Sequence, residues 1–277
     1  MTSVDQYNLL RSLALKHGYP WNDQPFALNI VGVRASSDAP NLWDDVIIGA
    51  SRDLVGPRVL RFAGTTDPGR PYLDDPMRPE GCAVVAEGHH PHLWEAGLHN
   101  GQYRALCQRG DSEVTLRRDA DKDGKILRIG PTHKEKGNGI NLHHGGDTVG
   151  GVGRYSAGCQ VIRARVNHSM LMQHVDQHEA KGFSKKHGYT LYDVDVPSHA
   201  GAAPLLTGMV GRTLRRGDTG PDVMTLQTRL ASGFGYGLTI DGSFGTRTEA
   251  IVMDVQNILK LTPDGIVGPR TAAAMGL

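Results

Sequence analysis

The stretch Gly139-Ile-Asn-Leu-His-His-Gly-Gly-Asp-Thr-Val-Gly-Gly-Val-Gly-Arg-Tyr-Ser-Ala-Gly-Cys-Gln-Val-Ile162 decides how the larger part of this chain reads. Ile140 and Leu142 at one end, and Val161 and Ile162 at the other, are short apolar runs of strand character. Gly145, Gly146, Gly150, Gly151 and Gly153 supply the bend between them. Cys159 follows His143 by 16 residues and His144 by 15. A thiol attacks only as thiolate, so Cys159 needs a base or a positive partner, and a histidine at the end of the preceding strand supplies one. Gly158 leaves the backbone beside the cysteine uncrowded, which lets the N–H of Cys159 point at a developing oxyanion. Ser156 is the weaker nucleophile candidate, because Arg154 rather than glycine lies two residues before it and the Gly-x-Ser-x-Gly elbow is not met.

These residues carry a resemblance. Histidine, a loop, then Ser-x-Gly-Cys is similar to the active-site signature of the L,D-transpeptidase family of cell-wall cysteine enzymes. The resemblance implies a mostly β catalytic domain in which Cys159 is the nucleophile and Gly158 and Ser156 belong to the motif. His143 is the first choice for the base and His144 the second. Ala157 stands where the family usually has histidine, and the loop is slightly short. Arg163 is the counterpart of the arginine that follows the family's cysteine. Arg154 and Tyr155 are candidates to hold a substrate carboxylate.

At 277 residues the chain has room for two domains, each with its own core. A formal net charge of +1 provides no global field for nucleic acid. No apolar run reaches the length of a membrane span. The N-terminus reads as an amphipathic helix with Leu9, Leu10 and Leu13 on one side rather than as a signal peptide. Three unevenly spaced cysteines make no disulfide framework, and Cys82 and Cys107 sit in apolar stretches as small buried hydrophobes.

In chain order, residues 1–20 form the helix, closed by Gly18 and Pro20. Strands are expected at 26–34, from 44, and at 58–62, 81–86, 102–108, 113–117 and 125–129, with exposed turn chemistry over 65–76. A helical run follows Cys159, around 168–180. The expected fold class is α+β: a β-dominated catalytic domain over 1–200, a linker over 201–211, and a small all-α domain over 212–277.

Two further features carry potential chemistry. Asp119-Ala-Asp-Lys-Asp-Gly124 copies the opening of a calcium loop, but Gly130 stands where the bidentate glutamate is needed, so a polar hairpin turn is expected. His89, His90, His92 and His99 form a dense set that reads as a hydrogen-bonded surface, or as part of a substrate cleft or metal site. No metal-site spacing and no cofactor motif is found, so neither a metal nor a cofactor is expected.

At the C-terminus, Asp241-Gly-Ser-Phe-Gly-Thr-Arg-Thr-Glu-Ala250 repeats as Asp264-Gly-Ile-Val-Gly-Pro-Arg-Thr-Ala-Ala273. In each copy a glycine-bearing turn enters a helix; Thr246 and Glu249 have capping-box spacing, and Pro269 suits a first helical turn. With Leu226-Gln227 and the preceding Leu-Arg-Arg-Gly-Asp stretch, this unit resembles the peptidoglycan-binding domain of many cell-wall hydrolases. Together the two resemblances imply a monomeric enzyme acting on peptidoglycan stem peptides, with neither nucleic acid nor membrane as partner. The arrangement is similar to a phage endolysin, made in the cytoplasm and acting on the wall after release. A transpeptidase, a metal-dependent wall hydrolase using the histidine cluster, and a non-catalytic wall-binding protein are the other readings.

Overall fold

A computed structural model describes residues 2–146, 148, 150–206, 213–259, 261–275 and 277. Helix α1 (Ser3–Lys16) is held at its start by a capping box in which Thr2 Oγ1 accepts from Asp5 N–H and the Asp5 carboxylate accepts from Thr2 N–H. It buries Tyr7, Leu10, Leu13 and Ala14.

Eleven strands follow: β1 (Asn29–Arg34), β2 (Asp45–Arg52), β3 (Pro57–Thr65), β4 (Cys82–Val85), β5 (Gly88–His99), β6 (Tyr103–Cys107), β7 (Glu113–Asp119), β8 (His133–Lys136), β9 (Leu142–His144), β10 (Gln160–Ile162) and β11 (Lys186–Asp193). Eight close into a barrel in the order β1-β11-β5-β6-β9-β10-β3-β2, and β4-β7-β8 form a separate sheet. Only β1/β11 and β9/β10 run parallel within the barrel. A parallel pair needs a long crossover, and the glycine-rich loop between β9 and β10 is one such connection.

The core of the barrel holds Ile47, Phe62, Trp94, Leu106, Leu142, Ile162 and Tyr189, all essentially solvent-free. Its polar atoms are paired: Trp94 Nε1 donates to Ile140 O at 2.7 Å, and Tyr189 Oη to Gln160 Oε1 at 2.6 Å. Gln160 also donates to Thr66 O at 3.3 Å, which ties β10 to the end of β3. There Arg34 is wholly buried, 3.0 Å from Asp67 and 3.6 Å from Asp193, while Arg128 grips Asp67 through both guanidinium ends at 2.9 and 2.8 Å. Removing one member of such a buried set strands a charge, so the network specifies this end of the barrel whatever its net stability.

Several sequence expectations shift. The segment 125–129 is not a strand: Ile126 N–H donates to Asp38 O, Leu127 N–H to the Asp119 carboxylate, and Arg128 is drawn into the ion network. Within the expected turn region lies a short helix, α2 (Arg70–Asp74). Asp121 and Asp123 accept from the backbone N–H two residues on, and Asp119 is buried on Leu127, so the calcium-like stretch is a polar turn. The expected helix is α3 (Arg165–Ala180), whose Leu171, Met172 and Val175 join the barrel core. Residues 201–205 of the expected linker belong to a 3₁₀ helix (Pro197–Leu205) burying His199, Ala202 and Leu205; residues 207–211 of that linker lie outside the described residues.

The C-terminal region contains α4 (Pro221–Thr228), α5 (Thr246–Ile258) and α6 (Pro269–Met275) around Val223, Leu226, Leu230, Phe244, Val252, Val255 and Val267. Its sequence repeat has a physical cause. Gln227 Nε2 donates to Asp241 Oδ1 (2.8 Å) and Ser243 O (2.9 Å), while its Oε1 accepts from Gly242 N–H (2.8 Å). Gln256 repeats the clamp on Asp264 (2.7 Å), Ile266 O (2.9 Å) and Gly265 N–H (2.9 Å). Each Asp-Gly turn is thus fixed by a buried helical glutamine. The expected capping box does not form: Gly245 is the N-cap of α5, without a side-chain cap bond, and Glu249 pairs instead with Arg216 at 3.2 Å.

Candidate functional site

The pairing of β9 with β10 assembles the site. Gln160 stands opposite Leu142 and Val161 opposite His143, and Gln160 N–H donates to Asn141 O at 2.9 Å. Leu142 and Gln160 share the core-facing side, so Cys159, Asn141 and His143 fall together on the other face. His144, one residue on, alternates away from them.

The loop between the strands is tied down from outside. Trp43 Nε1 donates to Gly150 O at 2.8 Å, and Asn41 O accepts from Val152 N–H at 3.2 Å. Ser156, fully buried, accepts from Gly158 N–H at 3.2 Å and donates to Cys159 O at 2.8 Å. Its hydroxyl therefore staples the turn before the cysteine. Gly158 has φ +117°, and a Cβ there would stand 2.5 Å from Ala83 O, so only glycine fits.

Cys159 Sγ donates to Gly139 O and accepts from Asn141 N–H, both at 3.4 Å. Part of the residue reaches solvent. Enough protein nevertheless surrounds Sγ for desolvation to push the thiol up to about 11, against the lowering effect of the Asn141 N–H. The cysteine is therefore a thiol at neutral pH, contrary to the lowered value that an activated cysteine beside histidine leads one to expect. Cys82 and Cys107 are buried, with thiols also pushed up by desolvation.

His143 is buried, and desolvation followed by the neighbouring His99 lowers it to about 3, so it is neutral. Its Nδ1 lies 3.0 Å from His144 O, which fixes the proton on Nδ1 and leaves Nε2 as the acceptor nitrogen. His99 stacks on His143 with ring centroids 4.2 Å apart. Asn141 links this pair to the cysteine side: its Oδ1 accepts from Gln108 N–H (2.9 Å), so its Nδ2 faces His99 Nδ1 (3.1 Å). No hydrogen bond joins His143 to Cys159 among the described residues. His144 Nδ1 accepts from Gly146 N–H at 3.2 Å, and its ring stacks on Tyr103 at 4.0 Å.

A cleft of about 400 Å³ has His99, Tyr103, His143, His144, Arg154, Tyr155 and Arg165 in its wall, and Cys159 is not among its lining residues. Arg154 lies 5.8 Å from the Tyr72 ring, and Tyr155 is exposed. Arg163 is not in this wall. It is buried, its Nε donates to Thr148 O at 3.2 Å, and desolvation lowers it to about 10. Arg165, which sequence reasoning missed, takes the position at the cleft from the first turn of α3. His99 was visible only as one member of a histidine cluster that the structure divides. His89 and His90 bond to Thr190 Oγ1 and Ala86 O at the far end of β5, while His99 alone reaches the cleft. Among the described residues, no three histidine, cysteine or carboxylate side chains are grouped to hold a metal ion.

A prediction follows from the resting thiol. With Sγ near 11, the thiolate fraction at pH 7 is on the order of 10⁻⁴, so alkylation of Cys159 by iodoacetamide in the free protein rises about tenfold per pH unit from 7 to 10. A rate that is flat over pH 5–9, read by mass of the peptide containing Cys159, contradicts this.

Comparison with known proteins addresses the C-terminal region. Residues 219–275 match the family described as putative peptidoglycan binding domain, and this region is a peptidoglycan-binding domain. An uncharacterized protein in the bpoA1 3' region of Kitasatospora aureofaciens is 43% identical over 63 residues, 22% of this chain and 53% of that protein. The chain thus spans about half the length of the curated relative it matches. Among solved structures, the Burkholderia AP3 phage endolysin is similar at 42% identity and TM-score 0.23, over 23% of this chain and 24% of that one. A peptidoglycan-binding protein from Clostridioides difficile, in complex with glutamine hydroxamate, is 36% identical at TM-score 0.23, over 24% of this chain and 42% of that one. No described helix is long and apolar enough to cross a membrane.

Proposed function

We propose that this chain is an endolysin-like peptidoglycan hydrolase that cleaves stem peptides through Cys159, with His143 as base. The observation that supports the reading is the parallel pairing of β9 and β10, which runs the Cys159 segment alongside the strand bearing His143, itself in the wall of a cleft with Arg154 and Arg165. The peptidoglycan-binding domain supports the substrate class, since tethering to an insoluble polymer raises the effective concentration of the barrel at its bonds.

In this reaction a stem peptide enters the cleft with a carboxylate toward Arg154 and Arg165. Its arrival turns Sγ from Gly139 O toward His143 Nε2, which takes the thiol proton as Sγ attacks the scissile carbonyl. The oxyanion meets the N–H of Cys159. The C–N bond breaks, the leaving amine takes the proton from His143, and water hydrolyses the thioester. With thiol and imidazole both neutral at rest, proton transfer to His143 accompanies the attack of Sγ instead of preceding it. Ser156 and Gly158 hold the cysteine turn in place.

Digestion of purified peptidoglycan by the full chain, with products identified by mass, tests the reading. Hydrolysis yields fragments that gain one water at a peptide bond. Products joined to a second stem would instead make the acceptor an amine and the protein a transpeptidase; no change in the polymer would sink the catalytic reading.

A further inference from the structure

Two larger clefts, of about 500 and 440 Å³, lie away from Cys159 and contain no residue of β9 or β10. They share His89, Pro91, His92 and Lys186 in their walls, and the second also carries Asp111, Glu113, Lys134 and Lys136. A bulge in β5 shapes the junction: Pro91, His92 and Leu93 stand opposite the single Gly188 of β11, and His92 is left-handed at φ +53°. Such a conformation costs a non-glycine residue energy and persists only where the surroundings enforce it.

The first cleft has a built wall. Trp21 is part-buried and held on two sides: its Nε1 donates to Asp23 at 3.0 Å, and its ring meets Tyr7 edge-on at 5.2 Å. The segment carrying it is locked to β1, with Asn22 N–H donating to Asn29 Oδ1 (2.9 Å) and Asn29 Nδ2 to Asn22 O (3.0 Å). Tyr192 backs this wall, but its hydroxyl is itself closed off from the cleft. The exposed Gln24 amide stands on the same wall. Lys186 is the only Lys, Arg, Asp or Glu among the lining residues. An indole held in place and an exposed amide, with almost no charge in this first cleft, fit a neutral ring rich in hydroxyl and acetamido groups; a polyanion needs more cations than this.

We propose that this first cleft binds the glycan strand of peptidoglycan, with an amino-sugar ring against Trp21 and its polar groups on Gln24. The inference rests on the peptidoglycan reading for its ligand but not on Cys159 chemistry. Glycan held here adds a second attachment to that of the C-terminal domain and keeps the barrel on the polymer between turnovers.

The test is a titration of the full chain with the soluble N-acetylglucosamine tetramer, followed by the indole N–H resonances of the three tryptophans. The Trp21 resonance, identified by its loss in Trp21→Ala, moves with saccharide, while that of the buried Trp94 does not. Gln24→Ala, an exposed change that spares the fold, weakens the titration by about threefold or more, and Cys159→Ala leaves it unchanged. A Trp21 resonance that stays fixed at millimolar saccharide, or that moves equally with a sulfated polyanion, overturns the proposal. Because the titration needs no turnover, failure of the cysteine mechanism leaves it readable.

Discussion

Cys159→Ala is expected to lower release of stem peptides from peptidoglycan by a factor on the order of 10⁴ or more, the scale seen when a covalent nucleophile is removed. The fold should tolerate the change. Sγ makes two long hydrogen bonds, at 3.4 Å, to backbone groups of Gly139 and Asn141, so the melting temperature should stay close to wild type. Gly158 and Ser156, which set the turn geometry, are untouched. Cys159→Ser keeps a hydroxyl near the same place but replaces the thiol by a poorer nucleophile, and should fall nearly as far. Binding to the polymer, read by co-sedimentation, should persist in both variants because residues 219–275 carry a separate peptidoglycan-binding domain. Peptide release that survives Cys159→Ala within tenfold removes the cysteine from the mechanism.

His143→Ala should cost about 10²–10⁴ in kcat, the usual worth of a positioned base, with a smaller effect on KM. His144→Ala should cost less than about tenfold by the same measure. The asymmetry follows from the strand: His143 shares a face with Cys159 and keeps Nε2 as acceptor, whereas His144 Nδ1 already receives the Gly146 N–H. His99→Ala removes the ring stacked on His143 and the bond to Asn141, so it should act through His143 and lower kcat without matching the full loss. If His144→Ala proves the more damaging, the base assignment passes to His144.

Much of this site was legible in the chain itself because its signals are local. Strand-like residues on both sides of a glycine-rich loop indicated two strands, although not that they pair in parallel, and strand alternation distinguishes His143 from His144 once a partner strand is known. The partner and its register are not local. Arg163 and Arg165 show the consequence: they differ by two positions, but the backbone turns at Ala164 from β10 into α3, burying the first beneath the loop and leaving the second at the cleft. The twelve-residue β5 was missed because Pro91 and a run of histidines contradict strand propensity, and tertiary pairing with β11 and β6 overrides it. Lys125–Ile129 failed in the opposite sense: its alternation is strand-like, but side-chain bonds to Asp38, Asp67 and Asp119 claim it. The direction of the Cys159 shift also depends on how much protein surrounds Sγ, which no spacing reports. In the C-terminal region, the repeat announced itself through Asp-Gly turns, while Gln256, the second clamp, became visible only through its bonds.

The claim on which the account turns is that Cys159 is acylated by a stem peptide. Rapid acid quench of the wild type mixed with a soluble muropeptide, followed by mass analysis of the peptide containing Cys159, reads this directly. The account predicts an added mass equal to the acyl half of the substrate on Cys159, absent in Cys159→Ala and removed by hydroxylamine. Turnover of the muropeptide with Cys159 unmodified at every quench time, together with undiminished turnover in Cys159→Ala, would contradict it.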